Sequence, residues 1–146
     1  DDSVGVLSAL HVLQKLKNPI KSMKEIYRVL KDGGWAIIEV PSTDGRGAFQ
    51  DPTHVSYWNQ NSFLYYTDKT HSVFIDNTDI KFQVFRNETV YLNEWSKENN
   101  CPVTIAWLCA IKSDKKRPHP VNIYILFGFQ YLKKLNSVKS IILFII

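Results

Sequence analysis

The sequence predicts an α/β fold in which a parallel β–α–β unit is followed by an antiparallel strand pair. An apolar run, a segment with helical periodicity and a second apolar run follow one another with short joints. Two further strand-like segments come later and are joined by a polar stretch. With 45% hydrophobic and 22% charged residues in 146, the composition is that of one globular domain and excludes a disordered chain.

The first strand is predicted over residues 3–10, a nearly continuous apolar run that is typical of a strand covered on both faces. A helix is predicted over residues 18–31, because Asn18 is a good cap and Pro19 suits the first helical position. Apolar residues recur on one face of this helix at Ile20, Met23, Ile26, Tyr27 and Leu30. The pair Gly33-Gly34 is predicted to end the helix.

The second strand is predicted over residues 35–40, stopped by Pro41, and its crossover from the first strand should be right-handed. Residues 42–53 are rich in Gly, Asp, Thr and Pro, so they predict a loop. A short helix is predicted over residues 61–66. Strands over residues 81–91 and 103–111 form the predicted antiparallel pair.

The positive charge is concentrated in residues 112–146, which carry seven basic residues against one acid. Because this tail lacks a regular basic and aromatic face, a solvated linker is favoured over a phosphate-binding patch, and no nucleic-acid partner is expected. Its apolar segments, 121–132 and 141–146, are shorter than the roughly 18 residues of a membrane-spanning helix. Packing of the tail against the domain is favoured, and a peripheral membrane contact is the alternative.

The two cysteines, Cys101 and Cys109, are too few for a disulfide scaffold and lie in or beside apolar runs, so we expect a reduced, cytoplasmic chain. The opening residues do not form a signal peptide, and we expect a chain that begins within a domain. The histidines are scattered and the cysteines are not closely spaced, so no metal site is expected. Neither a nucleophile elbow nor a P-loop is present, which argues against hydrolase and nucleotidase functions.

Asp51 and His54 are the candidate catalytic residues, because Pro52 stiffens the loop that presents them and a carboxylate beside an imidazole supports acid–base chemistry. An Asx turn formed by Asp51 is an equally open interpretation. The candidate substrate-binding residues form a polar–aromatic cluster, namely Tyr57, Trp58, Asn59 and Asn61. Packing of this loop on the sheet is the alternative. Arg46, between two glycines, is either a ligand for an anionic substrate group or a solvated loop residue.

Three segments together resemble the carboxyl-terminal half of class I S-adenosylmethionine-dependent methyltransferases of the type 11-like group. They read HVLQKLKNPI from residue 11, MKEIYRVLKDGGWAIIEVP from residue 23 and DGRGAFQDPTHVSYWNQNSF from residue 44. In that family the first two correspond to the end of the fourth strand, the next helix, a glycine turn and the fifth strand. The third resembles a subgroup signature that follows the fifth strand.

The resemblance covers about residues 1–112 and implies a partial Rossmann-like methyltransferase sheet. Residues 113–146 are left as a basic, apolar tail of unknown role. The resemblance also implies S-adenosylmethionine as the cofactor. It places Ala9, Leu10 and His11, at the end of the first strand, beside the methionine end of that cofactor. His11 is there either a residue that orients or deprotonates an acceptor or a partly buried histidine bonded to the backbone.

The chain departs from the family's pattern at several positions. Gln14 and Lys15 replace a glutamate and a histidine, Gly5 stands where aspartate is frequent, and Asp32 stands where proline is. The family's glycine-rich loop, and the acidic residue that binds the ribose hydroxyls, have no match in this sequence. We therefore expect this chain to be a fragment that supplies one wall of the cofactor site and is inactive by itself.

The predicted function is methyl transfer from S-adenosylmethionine to a small-molecule or saccharide acceptor. The polar–aromatic cluster suggests this acceptor class. The alternative is a non-catalytic binding or interaction protein on the same scaffold, which the replacements at Gly5, Gln14 and Lys15 would suit. A third interpretation is a half-sheet whose exposed edge pairs with another chain.

Overall fold

The computed structural model describes residues 1–77, residues 79–113 and the backbone of residues 140–144. The strands are β1 (Val4–Leu10), β2 (Leu30–Pro41), β3 (Phe82–Val90), β4 (Val103–Ala110) and β5 (Ser140–Phe144). These strands form one sheet in the order β3–β4–β2–β1–β5. The α-helices are α1 (Pro19–Val29), α2 (Gly47–Gln50), α3 (Leu64–Thr67), α4 (Lys69–Ser72) and α5 (Glu94–Glu98). Short 3-10 helices cover Leu13–Lys15, Gln60–Phe63 and Val73–Ile75.

The predicted β–α–β unit is confirmed. β1 and β2 are parallel neighbours, and their regular pairing runs from Val6 opposite Trp35 to Leu10 opposite Glu39. Because the strands are parallel, both end at the same edge of the sheet, and the segments that follow them start side by side. We call this edge, where β1 ends at Leu10 and β2 at Pro41, the carboxyl edge.

α1 begins where the sequence predicts and ends earlier. The Asn18 side chain accepts a hydrogen bond from the Lys21 backbone N–H at 2.9 Å, and proline follows at the first helical position. The predicted helix end at residue 31 is wrong, because the backbone is already extended at Leu30, where β2 starts. The glycine pair does not cap the helix. It lies near the start of β2, where the pairing with β1 is irregular and Gly33 has a φ of 76°.

The predicted antiparallel pair is also confirmed. β3 and β4 pair from Phe82 opposite Ala110 to Val90 opposite Val103, and β4 pairs antiparallel with β2 as well. β5 adds a parallel strand beside β1. The predictions for residues 114–139, a solvated linker and a membrane contact, lie outside the described residues. Within the described parts of the chain, every helix is too short or too polar to be a transmembrane span.

The loops contain short helices that local sequence did not all signal. The helix predicted over residues 61–66 is confirmed as a 3-10 turn that continues into α3. The predicted loop over residues 42–53 contains α2, and the polar stretch between β3 and β4 contains α5. A helix of four or five residues has little intrinsic stability, so its tertiary contacts and caps decide whether it forms. For α5 that cap is Asn93, whose side chain accepts from the Ser96 backbone N–H at 2.8 Å.

The core lies against one face of the sheet. Alternate strand residues such as Ile38 and Leu108 are fully buried, and Met23 of α1 packs in the same cluster. Trp58 and Phe63 belong to that cluster too, with their rings stacked at a centroid distance of 5.3 Å. We call residues 57–75 the aromatic segment. Through Trp58 and Phe63, this segment is part of the core as well as part of the loops.

Candidate functional site

His11 and Glu39 face each other at the carboxyl edge. The His11 backbone N–H donates to the Glu39 carbonyl oxygen at 2.8 Å. The side-chain Nε2 of His11 lies 3.0 Å from Glu39 Oε1, which makes a hydrogen-bonded pair. The His11 side chain is 45% exposed and that of Glu39 is 19% exposed, so a ligand at this edge can reach the imidazole.

The residues predicted to contact the cofactor differ in accessibility. Ala9 is buried, and its methyl group belongs to the core cluster. Leu10 is half-buried and stands opposite Glu39 in the strand pairing. Side-chain contact with a ligand is therefore open to His11 and Leu10, whereas Ala9 is limited to its backbone.

The segment after β2 is tied to the segment after β1. The backbone N–H groups of Val55 and Ser56 both donate to the Gln14 carbonyl oxygen, at 2.8 and 3.0 Å. The Ser56 hydroxyl donates to the Leu13 carbonyl oxygen at 2.8 Å, and the Trp58 indole N–H donates to that hydroxyl at 3.0 Å. These bonds hold the loop that follows β2 against the carboxyl edge.

Asp51 and His54 lie together in that loop. His54 Nε2 is 3.4 Å from Asp51 Oδ2, and His54 Nδ1 is 2.9 Å from the Ala48 carbonyl oxygen. Asp51 also forms the Asx turn, because its Oδ1 accepts from the backbone N–H and the hydroxyl of Thr53 at 2.8 and 2.7 Å. These two bonds lower the pKa of Asp51. The turn and the carboxylate–imidazole contact thus coexist, and the catalytic role of the pair stays a prediction.

Two members of the polar–aromatic cluster are packed into the structure. Trp58 is 2% exposed and stacks on Phe63. Asn59 caps the next 3-10 turn through its Oδ1, and its Nδ2 donates to the Thr43 hydroxyl at 2.9 Å. For Trp58 and Asn59 the structure has the packing contacts that the alternative interpretation predicts.

The other candidate substrate-binding residues are exposed. Tyr57 is 54% exposed and stacks on Phe49, with ring centroids 5.1 Å apart. Asn61 is exposed on the 3-10 turn. Arg46 is also exposed, and its Nη2 donates to Asn99 Oδ1 at 2.8 Å. Of the cluster, Tyr57 and Asn61 are the side chains that a substrate can reach most directly.

A cleft of about 220 Å³ opens beside this cluster. Its lining residues come from the start of α1 and from the aromatic segment, namely Pro19, Ile20, Tyr57, Trp58, Ser62, Tyr65, Tyr66 and Ile75. The cleft is smaller than the roughly 300–1,000 Å³ of most ligand pockets, so it suits a small molecule or one ring of a larger one. Burial raises the pKa of Tyr66 to about 12, which keeps its hydroxyl protonated.

A comparison with protein families matches residues 1–95 to the family described as a methyltransferase domain. The match covers more than half of the chain, from β1 into the start of α5. The chain belongs to the methyltransferase domain family. This confirms the resemblance to class I methyltransferases, and the mixed sheet with parallel β1 and β2 fits a partial Rossmann-like fold. A search of proteins with curated descriptions found no match.

The carboxyl edge of this methyltransferase domain fits one end of S-adenosylmethionine. A polar pair, His11 and Glu39, stands there next to the half-buried Leu10, which suits the charged methionine portion and the methyl group. Among the described residues, no glycine-rich turn joins a strand to a helix at this edge, so the fit does not extend to the adenosine end. Within the same residues, no group of three His, Cys, Asp or Glu side chains could hold a metal ion.

Two residues of the candidate site could not be assigned to it from the sequence. Glu39 is the charged residue in the otherwise apolar strand over residues 35–40, and that isolated charge was the available signal. Gln14 stood out as a departure from the family's pattern, but its burial was not predicted. It is 2% exposed, and its Oε1 has no hydrogen-bond partner among the described residues.

Proposed function

We propose that this methyltransferase domain transfers a methyl group from S-adenosylmethionine to a small-molecule or saccharide acceptor. The observation that carries the proposal is the His11–Glu39 pair at the carboxyl edge of two parallel strands, in a chain of the methyltransferase domain family. Open α/β sheets bind their ligands outside the carboxyl ends of the strands. When bound, S-adenosylmethionine supplies an electrophilic methyl group.

The residues of this chain position the acceptor. Methyl transfer is an in-line displacement, so the attacking atom has to be held about 3–3.5 Å from the methyl carbon and in line with the bond that breaks. Leu10 and His11 form a wall at the end of β1. The loop after β2 is bonded to the Gln14 carbonyl oxygen beside that wall, which limits how far an acceptor bound to the loop can move.

Acceptor binding is assigned to the cleft beside Tyr57. An exposed tyrosine ring can stack on a sugar or on a planar molecule, and its hydroxyl can bond to the edge of the ligand. Asn61 offers an amide at the same end of the aromatic segment. The proposal includes Arg46 as a ligand for an anionic group. It also includes Asp51 with His54 as a candidate acid–base pair.

The test uses the full-length protein, methyl-labelled S-adenosylmethionine, and a panel of phenols, amines, thiols and simple glycosides. We expect label in at least one acceptor. Tyr57→Ala should raise the KM for that acceptor about 3- to 10-fold, which corresponds to about 0.5–1.5 kcal/mol of ring stacking. Phe74→Ala removes a more exposed ring that does not line the cleft, so it should leave KM unchanged. Absence of label in every acceptor contradicts the proposal.

The second candidate function is non-catalytic ligand binding on the same scaffold. It is favoured by one observation: the ring of His54 is 6% exposed, with an acceptor near each nitrogen, as expected for a structural residue. A small molecule that binds to the full-length protein without ever receiving label would support it. We also propose a reduced, cytoplasmic location, because two cysteines in 146 residues are too few for the disulfide scaffold of a secreted domain.

A further inference from the structure

Glu39 occupies a position in the sheet that does not favour a charge. Its neighbours across the adjacent strands are Leu10 on β1 and Ile105 on β4, and its side chain is 19% exposed. Removing a carboxylate from water is unfavourable unless it is paired. Among the described residues, the carboxylate of Glu39 pairs with the imidazole of His11, so the two side chains form a unit.

The backbone of His11 has an unfavourable conformation, and a hydrogen bond to Glu39 accompanies it. Its φ is 54°, in the left-handed region that is unfavourable for a residue with a Cβ. The bond from its N–H to the Glu39 carbonyl oxygen holds this conformation. Glycine would relieve the strain but would remove the imidazole. Strained residues of this kind cluster at functional sites.

The contact with Glu39 also selects the tautomer of the neutral imidazole. Nε2 lies 3.0 Å from a carboxylate oxygen, so Nε2 carries the proton and donates it in a hydrogen bond. The lone pair is then on Nδ1, which has no hydrogen-bond partner among the described residues. Because the side chain is 45% exposed, Nδ1 is the nitrogen that can accept a proton from a ligand.

We propose that His11, and not the less exposed His54, is the general base of the methyl transfer, that Glu39 is its positioning residue, and that the acceptor is a hydroxyl or ammonium group. This inference rests on the proposed function. The proton of the acceptor passes to Nδ1, and the Glu39 carboxylate offsets the charge of the resulting imidazolium. The electron pair left on the acceptor forms the bond to the methyl carbon, and the pair of the breaking carbon–sulfur bond stays on sulfur. A thiolate acceptor has no proton to lose, so it needs no base.

The first test examines His11 in the full-length protein without any ligand. Nitrogen-15 NMR of histidine-labelled protein should assign the Nε2–H tautomer to His11. Glu39→Met should convert this signal to a mixture of tautomers while keeping or raising the melting temperature, because methionine suits the apolar neighbours. Asp68→Asn removes the carboxylate beside His71 and should leave the His11 signal unchanged. An Nδ1–H tautomer in the unsubstituted protein would overturn the inference.

The second test compares a hydroxyl acceptor with its thiol analogue, phenol with thiophenol and glucose with 1-thioglucose. Glu39→Gln should lower kcat for the hydroxyl acceptor about 100-fold, with KM unchanged, because general base catalysis contributes about that factor or more. Transfer to the thiol should change less than about twofold, and Glu39→Asp should restore part of the lost rate. Equal losses on both acceptors, or transfer to thiols alone, would overturn the base role and leave the proposed function standing. Absence of all transfer would overturn both.

Discussion

The Nδ1 atom of His54 lies 2.9 Å from the backbone carbonyl oxygen of Ala48, and this contact closes the turn that carries Asp51. His54 therefore has a structural role whether or not it takes part in catalysis. The two roles can be separated, because an asparagine side chain can place its Nδ2 where Nδ1 stands and still donate to Ala48.

We predict that His54→Ala lowers turnover in the full-length protein and leaves cofactor affinity nearly intact. It should also reduce the free energy of unfolding by about 1–3 kcal/mol, because the buried Ala48 carbonyl oxygen loses its donor. His54→Asn keeps the contact, so its stability should lie closer to that of the unsubstituted protein. Steady-state kinetics decide the chemical role: full turnover in His54→Asn would remove His54 from the catalytic residues.

Trp58 is predicted to matter for stability far more than its place in a substrate-binding cluster suggests. It is 2% exposed and contacts both Phe63 and Tyr66 through its ring. Trp58→Ala should lower the free energy of unfolding by about 3–5 kcal/mol, measured by urea denaturation. Trp95→Ala is the matched control, because Trp95 is 61% exposed, and it should change stability by less than about 0.5 kcal/mol. Similar losses in the two variants would contradict the burial of Trp58.

Gly34, near the start of β2, should tolerate alanine less well than Gly47, at the start of α2. A Cβ on Gly34 would lie 2.8 Å from the Lys31 carbonyl oxygen and 2.9 Å from that of Val4, and backbone atoms cannot move aside easily. Gly34→Ala should therefore cost about 1–3 kcal/mol in thermal or urea unfolding. Gly47→Ala is the control, because its nearest neighbour would be an ordinary contact at 3.4 Å, and its stability should change little. An unchanged Gly34→Ala would argue against the irregular pairing of β1 with β2.

The order and type of the main elements could be predicted because they depend on local patterns. Asn18 and Pro19 start α1 by chemistry that is complete within a few residues, and the apolar runs mark strands wherever they pack. The end of α1 could not be predicted in the same way. A glycine pair suits a helix end and a strand irregularity equally well, and the pairing of Val4 with Leu30 decides between them.

The site was only partly predictable for a similar reason. His11 could be placed at the end of a strand, but its partner Glu39 comes from another strand, and only the register of β1 on β2 brings them together. Trp58 and Asn59 could not be distinguished from Tyr57 by residue type. The burial of Trp58 and the half-buried position of Asn59 depend on the bonds that tie the loop to Gln14 and Thr43.

The loss of folding stability at low pH should depend in part on Asp68. The hydroxyl and backbone N–H of Thr70, followed by His71, lower the pKa of Asp68 to about 2, from 3.8 ordinarily. Because the pKa is lower in the folded state, these contacts stabilise the fold fully above about pH 4, and the contribution is lost as the pH falls towards about 2. Urea denaturation across this range should give a shallower decline for Asp68→Asn. Parallel declines in the two proteins would contradict the assignment.

Calorimetric titration of the 146-residue chain with S-adenosylmethionine should give very weak binding or none. In the proposed site, His11, Glu39 and Leu10 would contact the methionine end, and the sequence has no match for the family's glycine-rich loop or ribose-binding carboxylate. Close backbone approach and hydrogen bonds to the ribose normally come from those two elements. Without them the adenosine part of the ligand stays exposed to water, and the ligand gains only the contacts with the carboxyl edge. S-adenosylhomocysteine, which lacks the methyl group, is the control and should bind no better. A micromolar affinity for either ligand would mean that residues of this chain supply the adenosine contacts.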